Sequence, residues 1–199
     1  IDEVQMYSPD LLAYLILGLD YINQVGGKLA ILTATLPSVI LDFMKQVGLR
    51  QNIDFITPSK AFINEDIRHS LKIENSQIDS DLIISKFDNN RILVVCNTVK
   101  KAQELYKEIM EKVKDKFNTK NLKMLHSKFI KRHRRKKEKE IMEAGKTKYE
   151  KSEIWIGTQV VEASLDIDFD LLFTELSDIN GLFQRLGRCY RKRIWDKEN

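Results

Sequence analysis

Short, nearly continuous apolar runs alternate along this chain with longer stretches whose apolar positions recur at helical spacing. The runs are Leu29–Ala34, Arg91–Cys96, Leu122–His126, Ile154–Thr158 and Phe169–Thr174. A strand that is apolar on both faces is buried on both. The pattern therefore predicts an α/β fold, a parallel sheet with helices on each side. Pro37 predicts a helix start, with the helix running to about Val47 and stopped by Gly48. Asn97 and Thr98 offer an N-cap to a helix from about Val99 to Phe117. A helix rich in Lys and Arg follows the third run. Ala61–Ile73 alternates poorly and is read as a strand. Thr57-Pro58-Ser59 reads as a connector, which places a domain boundary there. Residues 1–58 hold two strands at most and cannot close a core alone, whereas residues 59–199 hold four or five strand–helix units.

Composition narrows the class without naming a partner. The 199 residues are 43% hydrophobic, as in ordinary globular proteins, and the net charge of +4 is modest. The two cysteines, Cys96 and Cys189, lie far apart and have no metal-ligand spacing, which fits a reducing, cytoplasmic compartment. His69, His126 and His133 form no zinc pattern. No apolar run is long enough to span a bilayer, and the first residues given do not read as a signal peptide. The chain opens at Ile1-Asp2-Glu3 without Met, which suggests a piece of a longer protein.

The chemistry collects where strands end. Parallel sheets deliver functional groups at the C-terminal ends of their strands. Here those ends carry Thr33-Ala34-Thr35, Asn97-Thr98, His126-Ser127 and Thr158-Gln159, with Glu162, Ser164 and Asp166 after the last. Any one such pair also serves simply to cap a helix. The last strand leads into Gln184-Arg185-Leu186-Gly187-Arg188-Cys189-Tyr190-Arg191, with three arginines at spacings of three. On a continuous helix they would crowd one side, at a cost of about a few tenths of a kcal/mol per pair. That arrangement predicts an anion for them to hold, and guanidinium forks suit phosphate.

These segments carry a resemblance. Gln184–Arg191 resembles motif VI of superfamily 2 helicases, and Gly157–Asp168 resembles motif V. Thr33-Ala34-Thr35 resembles motif III, and Asp2-Glu3-Val4-Gln5 resembles motif II. The wording Thr158-Gln-Val-Val-Glu-Ala-Ser-Leu-Asp-Ile-Asp168, with Leu125-His126-Ser127 before it, is most similar to the CRISPR-associated helicase–nuclease of type I systems. Two departures stand beside it. Gln5 occupies a position that is commonly His in that family. No Gly-x-x-x-x-Gly-Lys-[Ser/Thr] phosphate loop occurs in the chain, and the family's histidine–aspartate nuclease domain and C-terminal domain are missing too.

The resemblance implies the tail of a first RecA-like lobe (residues 1–58, motifs II and III) and a second RecA-like lobe (residues 59–199, motifs IV to VI). It implies an ATP-dependent DNA helicase or translocase of antiviral CRISPR interference, inactive without its phosphate loop. Its partners would be single-stranded DNA, the missing lobe and nuclease domain, and a CRISPR effector complex. The implied cofactors are ATP and Mg²⁺. Asp2 would hold the metal and Glu3 would position the attacking water. Arg188 and Arg191 would act as arginine fingers, with Gln184 and Arg185 organising the motif and Asp166 sensing the nucleotide. Asn97, Thr98, Ser127, Thr158 and Gln159 would contact strand phosphates, and Thr33 and Thr35 would couple the two sites.

The basic stretch Lys128–Lys139, with Lys136 and Lys137 in it, admits two readings, a track for a phosphate backbone or a solvated helix face. Two other functions also stay open. A DEAD-type RNA helicase usually begins motif VI with His and ends motif II with Asp, unlike this chain. A non-catalytic nucleic-acid-binding module would explain the missing phosphate loop.

Overall fold

The structure, a computed structural model, describes residues 1, 4, 7–33, 37–47, 49, 68, 70–114, 118–146, 148, 150–162, 165–191 and 193. The chain divides into two compact units, Ile1–Asn64 and Glu65–Asn199.

In the second unit four parallel strands form one sheet in the order β2-β3-β1-β4. They are β1 (Arg91–Val95), β2 (Leu122–Leu125), β3 (Glu153–Gly157) and β4 (Leu171–Thr174). Val95 pairs with Gly157 on one side and with Thr174 on the other, and Gly157 pairs with Leu125, so all four strands end level. Alternate residues of β1 feed opposite cores. Ile92 and Val94 pack with Ile154, Ile156, Ala102, Leu105 and Ile109, whereas Leu93 and Val95 pack with Trp155, Ile141 and Phe169. Both faces of the sheet are thus covered, the α/β arrangement expected from continuous apolar runs.

The helices are α3 (Ser80–Ser85), α4 (Val99–Val113), α5 (Lys131–Ala144) and α6 (Ile179–Leu186). Thr98 caps α4, its Oγ1 accepting from the Lys101 N–H at 3.2 Å, as the sequence predicts. A Cβ on Gly145, the residue that closes α5, would lie 2.6 Å from Ile167 Cβ. Only glycine lets the end of that helix approach the segment leading into β4 so closely. Within the predicted strand Ala61–Ile73, residues 68 and 70–73 are not in a strand, and the others lie outside the described residues. The last run begins its ladder at Leu171; Phe169 instead forms an isolated parallel bridge with Cys189.

The first unit holds α1 (Pro9–Gln24) and α2 (Ser38–Gln46) around Ile16, Leu19, Ile40, Met44 and Leu49. α1 was not anticipated, although Ser8-Pro9-Asp10 is a start signal: Ser8 Oγ accepts from Leu11 N–H and Pro9 occupies the first turn. The predicted strand Leu29–Ala34 is a correction. Among its described residues only Leu32 is bridged, its N–H donating to the Ile1 carbonyl at 2.9 Å. A ladder needs partner backbone along its length, and the described residues supply it from Ile1 alone, whose ammonium also donates to the Ala30 carbonyl at 2.8 Å.

Candidate nucleotide and nucleic-acid site

The C-terminal ends of β1, β3 and β4 form a polar rim built around Asn97. Its N–H donates to Glu175 Oε2 at 2.6 Å, and its carbonyl accepts from Gln159 Nε2 at 2.8 Å. Its Nδ2 donates to the Leu176 carbonyl at 2.8 Å, and its Oδ1 accepts from Arg185 Nη2 at 3.0 Å. Glu175 also pairs with Lys101 at 2.6 Å. Burial works against its charge, yet the Asn97 N–H and Lys101 hold its carboxyl below the usual range.

Arg185 is the hub of this rim and is 1% exposed. Its Nε donates to Glu162 Oε1 at 2.8 Å, and its Nη1 donates to Thr174 Oγ1 at 3.0 Å and to the Glu175 carbonyl at 2.9 Å. Glu162 is itself buried, so this is an ion pair inside the protein. One side chain thus joins the segments after β1, β3 and β4. Glu162 carries no assigned role in the sequence reading. Its place three residues after Gln159 was the available signal, because that spacing returns a side chain to the same side of a turn.

The three arginines do not share a helix face, which corrects the sequence expectation. α6 stops at Leu186 with Gly187 as its cap, so Arg188 and Arg191 lie beyond it. Each guanidinium goes its own way. Arg188 is buried and donates to the carbonyls of Leu165 and Glu162. Arg191 has a side chain 42% exposed, 3.3 Å from Asp166 Oδ1, and its own N–H donates to Asp168 Oδ1 at 2.9 Å. The three guanidiniums are held apart by separate protein partners. Gln184 is half-buried.

The other predicted residues fall in two places. Thr158 is buried at the end of β3, and Gln159 is exposed beside Asn97. Ser127 is exposed just after β2. α5 begins there with the cations Lys131, Arg132 and Arg134, at the positive end of a helix with no side-chain cap. Lys136 is largely exposed, 4.0 Å from Glu140. Lys137 lies 5.0 Å from the Phe129 ring centroid, and burial pulls its ammonium below the usual lysine range. His126, stacked on Phe129 at 4.2 Å, is likewise pushed down, first by burial and then by Lys128 and Lys137. Thr33 belongs to the first unit and is half-buried. Asp2, Glu3 and Thr35 lie outside the described residues. Among the described residues no group of His, Cys, Asp and Glu could hold a metal ion. No described helix is long and apolar enough to cross a membrane.

A family profile described as CRISPR-associated nuclease/helicase Cas3, C-terminal, matches residues 88–194. The chain is 30% identical over its whole length to the CRISPR-associated nuclease/helicase Cas3 of Methanothermobacter thermautotrophicus, of which it covers 24%. It is 32% identical over 98% of its length to the Streptococcus thermophilus protein of the same name, again covering 24%. The chain therefore spans about a quarter of the length of these relatives. The fold superposes on the crystal structure of T. fusca Cas3-ATP with a TM-score of 0.74 at 20% identity, covering 96% of this chain and 27% of that one. A parallel sheet with both faces covered, its strand ends tied to a Gln-Arg-x-Gly-Arg-x-x-Arg segment, thus agrees with the sequence match over the same residues, and the chain belongs to the Cas3 nuclease/helicase family, in its C-terminal RecA-like helicase region.

Proposed function

We propose that this chain is part of an ATP-dependent helicase or translocase that acts on single-stranded DNA in CRISPR interference, in the cytoplasm and with a CRISPR effector complex as partner. On this reading residues 1–58 end a first RecA-like lobe and residues 59–199 form the second. The observation that supports it most is the single hydrogen-bonded rim in which Arg185 of the arginine segment binds Asn97 and Glu162, while Arg191 keeps an exposed guanidinium. A group that contacts a strand and a group that contacts a triphosphate are useful to a motor only if they move together.

Asn97, Thr98, Ser127, Thr158 and Gln159 hold strand phosphates in this proposal, with Lys136 and Lys137 adding charge along α5. Arg191 answers the charge on the transferred phosphate. Arg188 does so only by releasing the carbonyls of Leu165 and Glu162, a coupling in itself. Gln184 and Arg185 organise the segment, Asp166 senses the nucleotide, and Thr33 and Thr35 relay between sites. Asp2 and Glu3 are hard oxygen donors of the kind Mg²⁺ takes, with Asp2 holding the ion and Glu3 orienting water. Bound Mg²⁺ supplies charge neutralisation at the phosphates.

The test is ATP hydrolysis by the whole polypeptide that carries this chain, with and without single-stranded DNA. Stimulation by DNA is expected, as is a loss of about 10³-fold or more in kcat for Arg191→Ala. The 199 residues alone are expected to be inactive. Equal stimulation by RNA would favour the RNA-helicase reading, and hydrolysis indifferent to either strand would reject a motor.

A further inference from the structure

We propose that Asp168 and Arg193 are positioning residues that aim Arg191. The inference rests on the reading that Arg191 meets the nucleotide. Beyond Gly187 the chain leaves the helix and runs back beside the start of β4. Phe169 N–H donates to the Arg188 carbonyl at 2.9 Å, and Tyr190 N–H donates to the Phe169 carbonyl at 3.2 Å. This carries Tyr190 into the left-handed region, at φ 50°, where side-chain-bearing residues are uncommon. Something has to hold the turn there.

Arg193 does so. Its guanidinium lies 4.2 Å from the Tyr190 ring centroid. Its Nε and Nη2 donate to the two oxygens of Asp168 at 3.0 and 3.1 Å, its Nη1 to Asp170 Oδ1 at 2.5 Å, and its Nη2 also to the Phe169 carbonyl at 2.9 Å. Asp168 is 1% exposed, and its Oδ1 also accepts from the Arg191 N–H at 2.9 Å. One buried carboxylate thus grips the backbone at 191 and the side chain at 193, on both sides of the same short segment.

The charges in this cluster close without Arg191. Asp170 is held by Arg91, through Nε at 2.9 Å and Nη2 at 2.8 Å, as well as by Arg193. Two carboxylates face two guanidiniums. Arg191 is therefore a cation beyond what those two carboxylates need, its side chain 42% exposed and 3.3 Å from the exposed Asp166. A surplus guanidinium on a backbone fixed at both ends is preorganised for an anion that arrives from outside.

The test compares Arg191→Ala, Arg193→Gln and the double variant in the whole polypeptide, by DNA-stimulated ATP hydrolysis. Arg193→Gln is expected to lower kcat by about 10–100-fold, the scale of an ångström of misplacement, with the KM for ATP and the affinity for single-stranded DNA within about twofold. The double variant should be no slower than Arg191→Ala, because Arg193 acts through Arg191. An Arg193→Gln enzyme with unaltered kcat, or losses that multiply in the double variant, overturns this inference alone. An Arg191→Ala enzyme with unaltered kcat overturns it together with the arginine-finger reading. If Arg193→Gln does not fold, Arg193→Lys decides. Lysine keeps the charge but not the paired bonds, so a loss of about tenfold supports the clamp and an unchanged kcat refutes it.

Discussion

Arg185→Ala should damage the lobe before it damages any chemistry. The guanidinium is 1% exposed and makes four hydrogen bonds, one of them to a Glu162 carboxylate that is 5% exposed. Removing it strands that carboxylate away from water, and breaking a buried pair from one side costs about 3–5 kcal/mol. At about 1.36 kcal/mol per tenfold, amide protection in β1, β3 and β4 should fall by roughly two to three and a half orders of magnitude. Hydrogen–deuterium exchange on the whole polypeptide measures this without requiring the lobe to fold alone. The companion experiment is Arg185→Met with Glu162→Leu. Replacing both partners with apolar groups removes the stranded charge, so the double variant should recover to within about 1–2 kcal/mol of wild type. The residue of the loss is the bonds to Asn97, Thr174 and the Glu175 carbonyl. If Arg185→Ala costs less than about 1 kcal/mol, or if the double variant is no better than the single, Arg185 is not the hub described above.

Three further outcomes follow from the geometry. Lys136→Gln with Lys137→Gln should lower the slope of log affinity against log salt for single-stranded DNA by about 1–1.5, since each phosphate contact on a single strand contributes about 0.7; an unchanged slope would make α5 a solvated face. Burial pushes the Cys96 thiol up to about 11 and the Cys189 thiol up to about 12. Neither should react with iodoacetamide at about pH 8 until urea unfolds the protein, and labelling of the folded protein would contradict this packing. Although burial opposes its charge, bonds from Arg91 and Arg193 hold the Asp170 carboxyl below its ordinary 3.8, so the unfolded chain binds that proton more readily. This stability is fully present above about pH 5 and is lost as pH falls through the folded value. Arg91→Gln should therefore flatten the fall of the urea midpoint between about pH 5 and pH 3, and a curve parallel to wild type would refute the linkage.

Much of the fold was legible because burial leaves a mark on composition. Residues 91–95 and 153–157 are buried without a break, and the apolar text from Ile92 and from Ile154 onward announces a strand covered on both sides. The rim was half legible. Asn97, Gln159 and Arg185 were each singled out, but their mutual bonds span 62 and 88 residues of sequence, which no local pattern encodes. The arginine segment misled because helical periodicity was carried past Gly187, where the chain turns away to bridge Phe169. Arg193 was invisible for the same reason. Its partners, Asp168 and Asp170, sit 25 and 23 residues earlier. α1 escaped notice although Ser8 and Pro9 marked its start, since its apolar residues do not confine themselves to one face. Leu11, Tyr14, Leu17 and Tyr21 are exposed while Ile16 and Leu19 are buried.

Asn97 has its main-chain N–H, main-chain carbonyl, side-chain oxygen and side-chain nitrogen each committed to a different residue. Such a residue has no second posture to fall into. Shifting it means breaking bonds to Glu175, Gln159, Arg185 and Leu176 at once, so the strand-end rim behaves as one stiff block. Any bending of this unit must fall beyond that block, and a variant that loosens Asn97 would soften the rim as a whole.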